Sequence, residues 1–167
     1  MKKSRFIAHG ALIAALYVAL THLQNVLLPG SATWAIQFRA SEALCVLALF
    51  TPAAIPGLTI GCFLFNITYA GSLPLDMLVG SLATLLAASG MYALRKVTIK
   101  GYPLLAMLLP AVFNSVLIGW ELSVYIGGAL WLNDLYVAIG ELAVLLTLGT
   151  ALYYGLRTRN LDKRLFG

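Results

Sequence analysis

Charged residues are scarce in this chain: Asp, Glu, Lys and Arg make up only 10% of its 167 residues, whereas 61% are hydrophobic. A soluble domain is typically about one-quarter charged. The composition therefore excludes a water-soluble globular protein and indicates an integral membrane protein. A polar block long enough for a separate soluble domain is also lacking, so residues 1–167 are predicted to form a single membrane domain.

Motifs for catalysis and for cofactor binding are missing as well. The sequence has no GxxxxGK(S/T) loop for nucleotide phosphates, no HExxH motif or Cys/His cluster for a metal, and no GxSxG motif for acyl transfer. The two cysteines, Cys45 and Cys62, lie in apolar segments and are predicted to be buried packing residues rather than a disulfide. We therefore predict a non-enzymatic protein with no cofactor and no metal. Any uphill transport would draw its energy from a partner.

Apolar segments fill most of the sequence and are separated by short breaks rich in proline, glycine or basic residues. A helix needs about 20 apolar residues to cross a hydrocarbon core of roughly 30 Å. The first segment is followed by no small-x-small cleavage site, so it is interpreted as a retained helix rather than a signal peptide. The predicted helices are 7–28, 38–50, 53–70, 75–95, 103–125 and 132–156.

Ten of the eleven basic residues fall in three clusters. Basic residues that flank membrane helices favour the cytoplasmic side, so an even number of crossings must separate these clusters. This condition requires residues 38–70 to form a hairpin of two short helices. The predicted fold is an all-α bundle of six transmembrane helices with cytoplasmic N- and C-termini. The clusters are Lys2, Lys3 and Arg5; Arg95, Lys96 and Lys100; and Arg157, Arg159, Lys163 and Arg164.

Five of the six acidic residues fall in the opposite, outer half of this bundle, where Arg39 is the one basic residue. Ionisable groups in membrane segments are costly and by default mark a pathway or a site. Polar amides and aromatic rings are predicted at the same depth. Carboxylates, amides and flat rings suit a planar ligand rich in hydrogen-bond donors. The acids are Glu42, Asp76, Glu121, Asp134 and Glu141; the amides are Gln37, Asn66 and Asn114; the rings are Trp34, Tyr69, Trp120, Tyr125 and Trp131.

Most of these residues also have a purely structural interpretation. The rings can belong to the aromatic belt at a membrane surface, and Asp76 can be a helix N-cap. Asp134 is expected in a solvated loop. Arg39 and Glu42 can pair with each other at a spacing of three residues. Glu121 and Glu141 have no basic residue near them in sequence, so when buried they need another partner.

Small residues form a stripe on the first predicted helix, where Ala11, Ala15 and Ala19 repeat every four positions. Such a stripe lets a second helix approach closely, and this close packing drives helix association in lipid. The second helix can belong to this chain or to another protein. The pattern alone does not favour either.

Three stretches carry a resemblance to a known family: "IQFRASEALCVLALFTPAAIPGLTIGCFLFN" (36–66), "DMLVGSLATLLAA" (76–88) and "LLPAVFNSVLIGWEL" (108–122). They resemble the queuosine-precursor transporter family, whose members are substrate-binding S components of energy-coupling factor (ECF) importers. The resemblance implies a multi-pass protein of the bacterial cell membrane. It also implies a scaffold T component and two cytoplasmic ATPases as partners, with the alanine stripe contacting the scaffold.

The implied ligand is a 7-deazaguanine precursor of queuosine, bound near the outer face beneath the loop 29–38. Carboxylates would accept its N–H groups, with Glu121 preferred, then Glu42, Glu141 and Asp76. Its carbonyl oxygen would accept hydrogen bonds from Asn66, Asn114 and Arg39. Rival interpretations are an S component for another vitamin such as a thiamine-like cation, a small proton-coupled carrier, and an intramembrane enzyme. The predicted ligand-binding residues are Trp34, Arg39, Glu42, Asn66, Tyr69, Asp76, Asn114, Glu121 and Glu141.

Overall fold

The computed structural model describes residues 2–31 and 38–166, apart from the side chain of Lys163. The regular elements are all helices, without a β-strand in the described ranges, which confirms the predicted all-α class. A π-helical turn, Leu145–Gly149, joins α5 to α6. The elements are α1 (Lys3–Leu27), a 3₁₀ helix (Ala40–Leu49), α2 (Ala54–Thr68), α3 (Asp76–Leu94), α4 (Leu104–Tyr125), α5 (Leu130–Val144), α6 (Thr150–Thr158) and α7 (Leu161–Phe166).

Four helical stretches in the described residues are long and apolar enough to cross a membrane. The 3₁₀ helix has ten residues and α2 has fifteen, so each is only about 20 Å long. Both are shorter than the roughly 30 Å of a hydrocarbon core. The predicted number of six crossings therefore stays a prediction. The long stretches are Lys3–Leu27, Asp76–Leu94, Leu104–Tyr125 and Leu130–Thr158.

The 3₁₀ helix and α2 form a hairpin inside the bundle. The Arg39 guanidinium, at the start of the 3₁₀ helix, lies 5.9 Å from the ring centroid of Phe65, near the end of α2. The chain therefore reverses direction between Leu49 and Ala54. Residues Ser41 to Leu49 are all buried. This burial explains why the segment has apolar side chains on all sides, apart from Ser41 and Glu42.

Glycines bring α1 and α2 into backbone contact. A Cβ atom at Gly57 would lie 2.7 Å from the Gly10 carbonyl oxygen, and one at Gly61 would lie 2.7 Å from Cβ of Tyr17. Ala14, one turn beyond Gly10, is also buried in this seam. The face of α1 that packs within the chain is therefore the Gly10 and Ala14 face. The neighbouring stripe of Ala11, Ala15 and Ala19 stays exposed.

The Gly57→Ala substitution is expected to lower the free energy of unfolding by about 1–3 kcal/mol, because the added methyl group pushes α1 away from α2. Thermal unfolding of the purified protein in detergent measures the loss. Gly155→Ala in α6 is the matched control, since its Cβ would have no neighbour within 4 Å. Equal melting temperatures for the two variants would contradict the close α1–α2 seam.

The basic residues gather at one end of the bundle. Arg157 in α6 donates a hydrogen bond to the carbonyl oxygen of Gly101, in the connection that follows Arg95 and Lys96. The ring of His9 in α1 packs edge-on against Phe166 in α7, with centroids 5.5 Å apart. These contacts bring the three basic segments together, at the end of α3 remote from Asp76. The 19 residues of α3 separate the two ends by about 28 Å.

Candidate functional site

Four carboxyl groups from four different elements converge at the other end of the bundle. Glu42 lies on the 3₁₀ helix, Asp76 begins α3, and Glu121 and Glu141 lie on α4 and α5. Arg39 interacts electrostatically with all four. All five side chains are at most 4% exposed. We call this group the acidic cluster; it contains three more acidic than basic groups.

Both carboxyl oxygens of Glu42 accept hydrogen bonds from the chain itself. Tyr17 Oη donates a hydrogen bond to Glu42 Oε1 at 2.5 Å, and Cys45 Sγ donates one to Oε2 at 3.2 Å. One turn further along α1, Thr21 Oγ1 donates to Ser41 Oγ at 2.7 Å. Glu42 therefore joins α1 to the 3₁₀ helix, and its two oxygens already have donors.

The α1 residues in this network were not predicted from the sequence. Tyr17, Thr21 and Asn25 are buried on one face of α1, at a spacing of four residues. That spacing is the signal that could have identified them, because it places three polar side chains on one side of a helix. The alanine stripe on the adjacent face was the more conspicuous pattern.

Asp76 holds the turn that precedes α3. Its Oδ2 accepts a hydrogen bond from the Leu73 backbone N–H at 3.1 Å, and its backbone oxygen accepts one from Asn66 Nδ2 at 2.8 Å. The interpretation of Asp76 as the N-cap of α3 is wrong: the N-cap is Leu75, without a side-chain cap hydrogen bond. The Asp76 carboxyl instead bonds the turn before the helix and faces Glu121. Asn66 Oδ1 is buried and accepts no hydrogen bond from the described residues.

Glu121 and Glu141 keep open acceptor atoms. Neither oxygen of Glu121 accepts a hydrogen bond from a donor among the described residues, although the side chain is 0% exposed. Glu141 Oε1 accepts from Asn114 Nδ2 at 2.8 Å, and Oε2 has no donor in the described part of the chain. Buried polar atoms normally have partners. With Asn66 Oδ1, the acidic cluster therefore presents four buried, unpaired oxygens.

Both asparagine N–H₂ groups already donate within the chain: Asn66 to the Asp76 backbone and Asn114 to Glu141. We expected these amides to donate to a ligand carbonyl. Asn114 keeps a second N–H for this role, so the expectation stays a prediction for Asn114. The open oxygen of Asn66 adds an acceptor, which suits a ligand rich in N–H groups.

The aromatic side chains separate into two groups. Tyr69 is half-buried and stacks on Phe65, with ring centroids 5.2 Å apart, so it lies beside the acidic cluster. Trp120, Tyr125 and Trp131 are 47%, 43% and 68% exposed. They face outward, as in an interfacial aromatic belt, which is the structural interpretation that their sequence positions allowed. Trp34 and Gln37 lie outside the described residues.

Asp134 does not lie in a solvated loop. It belongs to α5, and its Oδ1 atom is buried against Gly119 of α4. The glycine provides the space for this carboxyl, so the prediction of a loop residue is wrong. Asp134 is not among the charged neighbours of the acidic cluster.

Helices with an apolar outer surface and a buried group of ionisable side chains define a helical membrane protein with an internal polar site. A family model described as QueT transporter matches residues 7–158, and the chain belongs to the QueT transporter family. Its role is therefore in membrane transport, as predicted from the resemblance. No curated protein and no solved structure gives a match.

Proposed function

We propose that this protein is the substrate-binding S component of an ECF-type importer, and that the acidic cluster binds a 7-deazaguanine precursor of queuosine. The observation that carries the proposal is the set of four buried, unpaired oxygens on Glu121, Glu141 and Asn66. A deazaguanine presents a ring N–H and an exocyclic amine on one edge, which a single carboxylate can accept together. In the proposal, Tyr69 contacts the flat face of the ring.

The charge balance of the cluster favours a cationic ligand. Four carboxyl groups interact electrostatically with one guanidinium, and the Glu121 carboxyl lies beside that of Asp76. Burying excess negative charge is costly unless a cation or proton compensates it. The aminomethyl form of the base carries an ammonium group that supplies this charge. The neutral cyano form does not.

A thermal-shift titration of the purified chain tests the ligand. We expect the aminomethyl deazaguanine to raise the melting temperature most, with the cyano base and queuine weaker and thiamine inactive. Mass spectrometry of any small molecule that co-purifies identifies the resident ligand. Stabilisation by thiamine, or a different co-purified molecule with no response to any deazaguanine, would overturn the proposed substrate.

The outward alanine stripe supports docking on another protein. Ala11, Ala15 and Ala19 are exposed, while the internal seam of α1 uses Gly10 and Ala14. Small residues on a lipid-facing surface allow a partner helix to approach closely. In the proposal this partner is the ECF scaffold subunit, which connects the chain to two cytoplasmic ATPases.

Replacing Ala15 with leucine is expected to abolish co-purification with the scaffold subunit, because the larger side chain holds the partner helix away. The melting temperature should not change, since Ala15 is exposed in the isolated chain. Ala151→Leu, at an exposed position of α6, serves as the control in the same pull-down experiment. Retained co-purification of Ala15→Leu would place the scaffold contact elsewhere.

A further inference from the structure

A pocket at the basic end of the bundle differs in chemistry from the other surface grooves. It has a volume of about 420 Å³ and a mostly polar lining, whereas three other grooves are almost entirely apolar. Part of its wall is apolar, from the end of the 3₁₀ helix and the start of α4. We call it the basic pocket; its polar side chains are Arg95, Lys96, Thr98, Tyr153, Arg157 and Asp162.

The two guanidinium groups of the basic pocket are held in place by the chain. Arg95 donates to the Tyr92 carbonyl oxygen at 2.6 Å and lies 3.7 Å from the Tyr92 ring centroid. Arg157 donates to the Gly101 carbonyl oxygen at 3.2 Å and to the Tyr153 hydroxyl. A guanidinium has five N–H donors, so each arginine keeps donors for a ligand. Because the side chains are already ordered, binding costs less entropy.

The charge of the lining selects an anion. Three cations face a single carboxylate, Asp162, whose Oδ1 is buried and accepts no hydrogen bond from the described residues. Arginine forks match the oxygens of a phosphate group. The open Asp162 oxygen in turn suits a ligand that carries a hydroxyl donor close to its phosphate.

The position of the pocket indicates where such a ligand comes from. Arg95 and Lys96 follow α3 directly, and Arg157 lies in the last turn of α6. Basic residues next to the ends of membrane helices lie at the level of lipid headgroups and attract anionic lipids. The apolar part of the pocket wall, from Leu49 and Phe50, lies at the same end of the bundle.

We propose that the basic pocket binds the phosphate of an anionic phospholipid, with Arg95, Lys96 and Arg157 as donors and Asp162 accepting a headgroup hydroxyl. The bound lipid joins the ends of the 3₁₀ helix, α3 and α6. This site is about one membrane thickness away from the acidic cluster, and the inference does not depend on the proposed function.

Native mass spectrometry of the purified chain with added lipids tests the proposal. Wild-type protein is expected to bind one phosphatidylglycerol at least tenfold more strongly than phosphatidylcholine. The double variant Lys96→Gln/Arg157→Gln should lose most of this preference. The variant Arg5→Gln/Arg159→Gln removes the same charge outside the pocket lining and should keep it. If the pocket variant fails to fold, Lys96→Gln alone, at an exposed position, is expected to reduce the preference severalfold.

Inorganic phosphate distinguishes the source of the phosphate group. If phosphate stabilises the wild type but not the pocket variant, and lipid binding is the same in both double variants, the site binds a soluble phosphate and the lipid source is wrong.

The Asp162→Asn substitution should weaken the binding of phosphatidylglycerol more than that of phosphatidic acid, which has no headgroup hydroxyl. Equal effects on the two lipids would remove Asp162 from the site. Identical lipid and phosphate binding in both double variants would overturn the proposal.

Discussion

Replacing Glu121 with glutamine is expected to raise the dissociation constant for the aminomethyl deazaguanine at least tenfold. Both Glu121 oxygens are buried and without a donor in the described ranges, so a ligand that brings N–H groups can use both. A hydrogen bond to a charged group contributes about 1.5–3 kcal/mol, and every 1.4 kcal/mol is about tenfold in affinity. Glutamine keeps the shape but removes the charge and one acceptor. Isothermal titration calorimetry measures the change.

The stability of the ligand-free protein should not fall in Glu121→Gln, because no donor in the described part of the chain loses its acceptor. This separates a binding effect from a folding defect. Asp134→Asn is the matched control: it makes the same chemical change in a neighbouring helix, outside the acidic cluster. An unchanged dissociation constant for Glu121→Gln would remove Glu121 from the site.

The second large effect is expected from Arg39→Met, which removes the cation of the acidic cluster. Arg39 interacts with all four carboxyl groups and is 4% exposed. Removing one partner of a buried ionic group typically costs about 3–5 kcal/mol, because the remaining charge is left uncompensated. We expect poor yield and a sharply lower melting temperature. Fluorescence-detected size-exclusion chromatography after heating measures both.

Two further variants make this result specific. Arg39→Lys keeps the charge without the planar fork and should recover part of the lost stability. Arg5→Met removes an exposed arginine at the basic end and should behave like the wild type. Wild-type stability of Arg39→Met would show that the cluster does not need its cation.

The sequence was sufficient for the helical class, because hydropathy reports lipid exposure directly. It was less sufficient for the conformation of residues 40–49. Apolar residues surround this segment on all sides, so its hydrophobic pattern has no period that distinguishes a 3₁₀ helix from an α-helix. The same holds for the π-helical turn Leu145–Gly149, because its amino-acid composition does not differ from that of the neighbouring α-helix.

The sequence predicted Glu42, Asp76, Glu121 and Glu141 in the same half of the bundle, but it also placed Asp134 there, which the structure keeps outside the acidic cluster. Which acid keeps a free oxygen did not follow. The sequence offered Arg39 as a partner for Glu42 and none for Glu121, but it did not show that Tyr17 and Cys45 donate to Glu42 while Glu121 has no donor in the described residues. That difference depends on contacts between residues distant in sequence. The role of either residue in ligand binding stays a prediction.

In the 3₁₀ helix, the alignment of Arg39, Glu42 and Cys45 depends on the number of residues between them. With three residues per turn, positions three apart lie directly above one another, and the Cys45 hydrogen bond to Glu42 follows that column. A substitution here removes the contacts of one side chain. A residue inserted or deleted between Arg39 and Glu42 instead rotates every later side chain by about 120° and turns Glu42 away from Arg39. During evolution this segment should therefore accept amino-acid substitutions more readily than insertions or deletions.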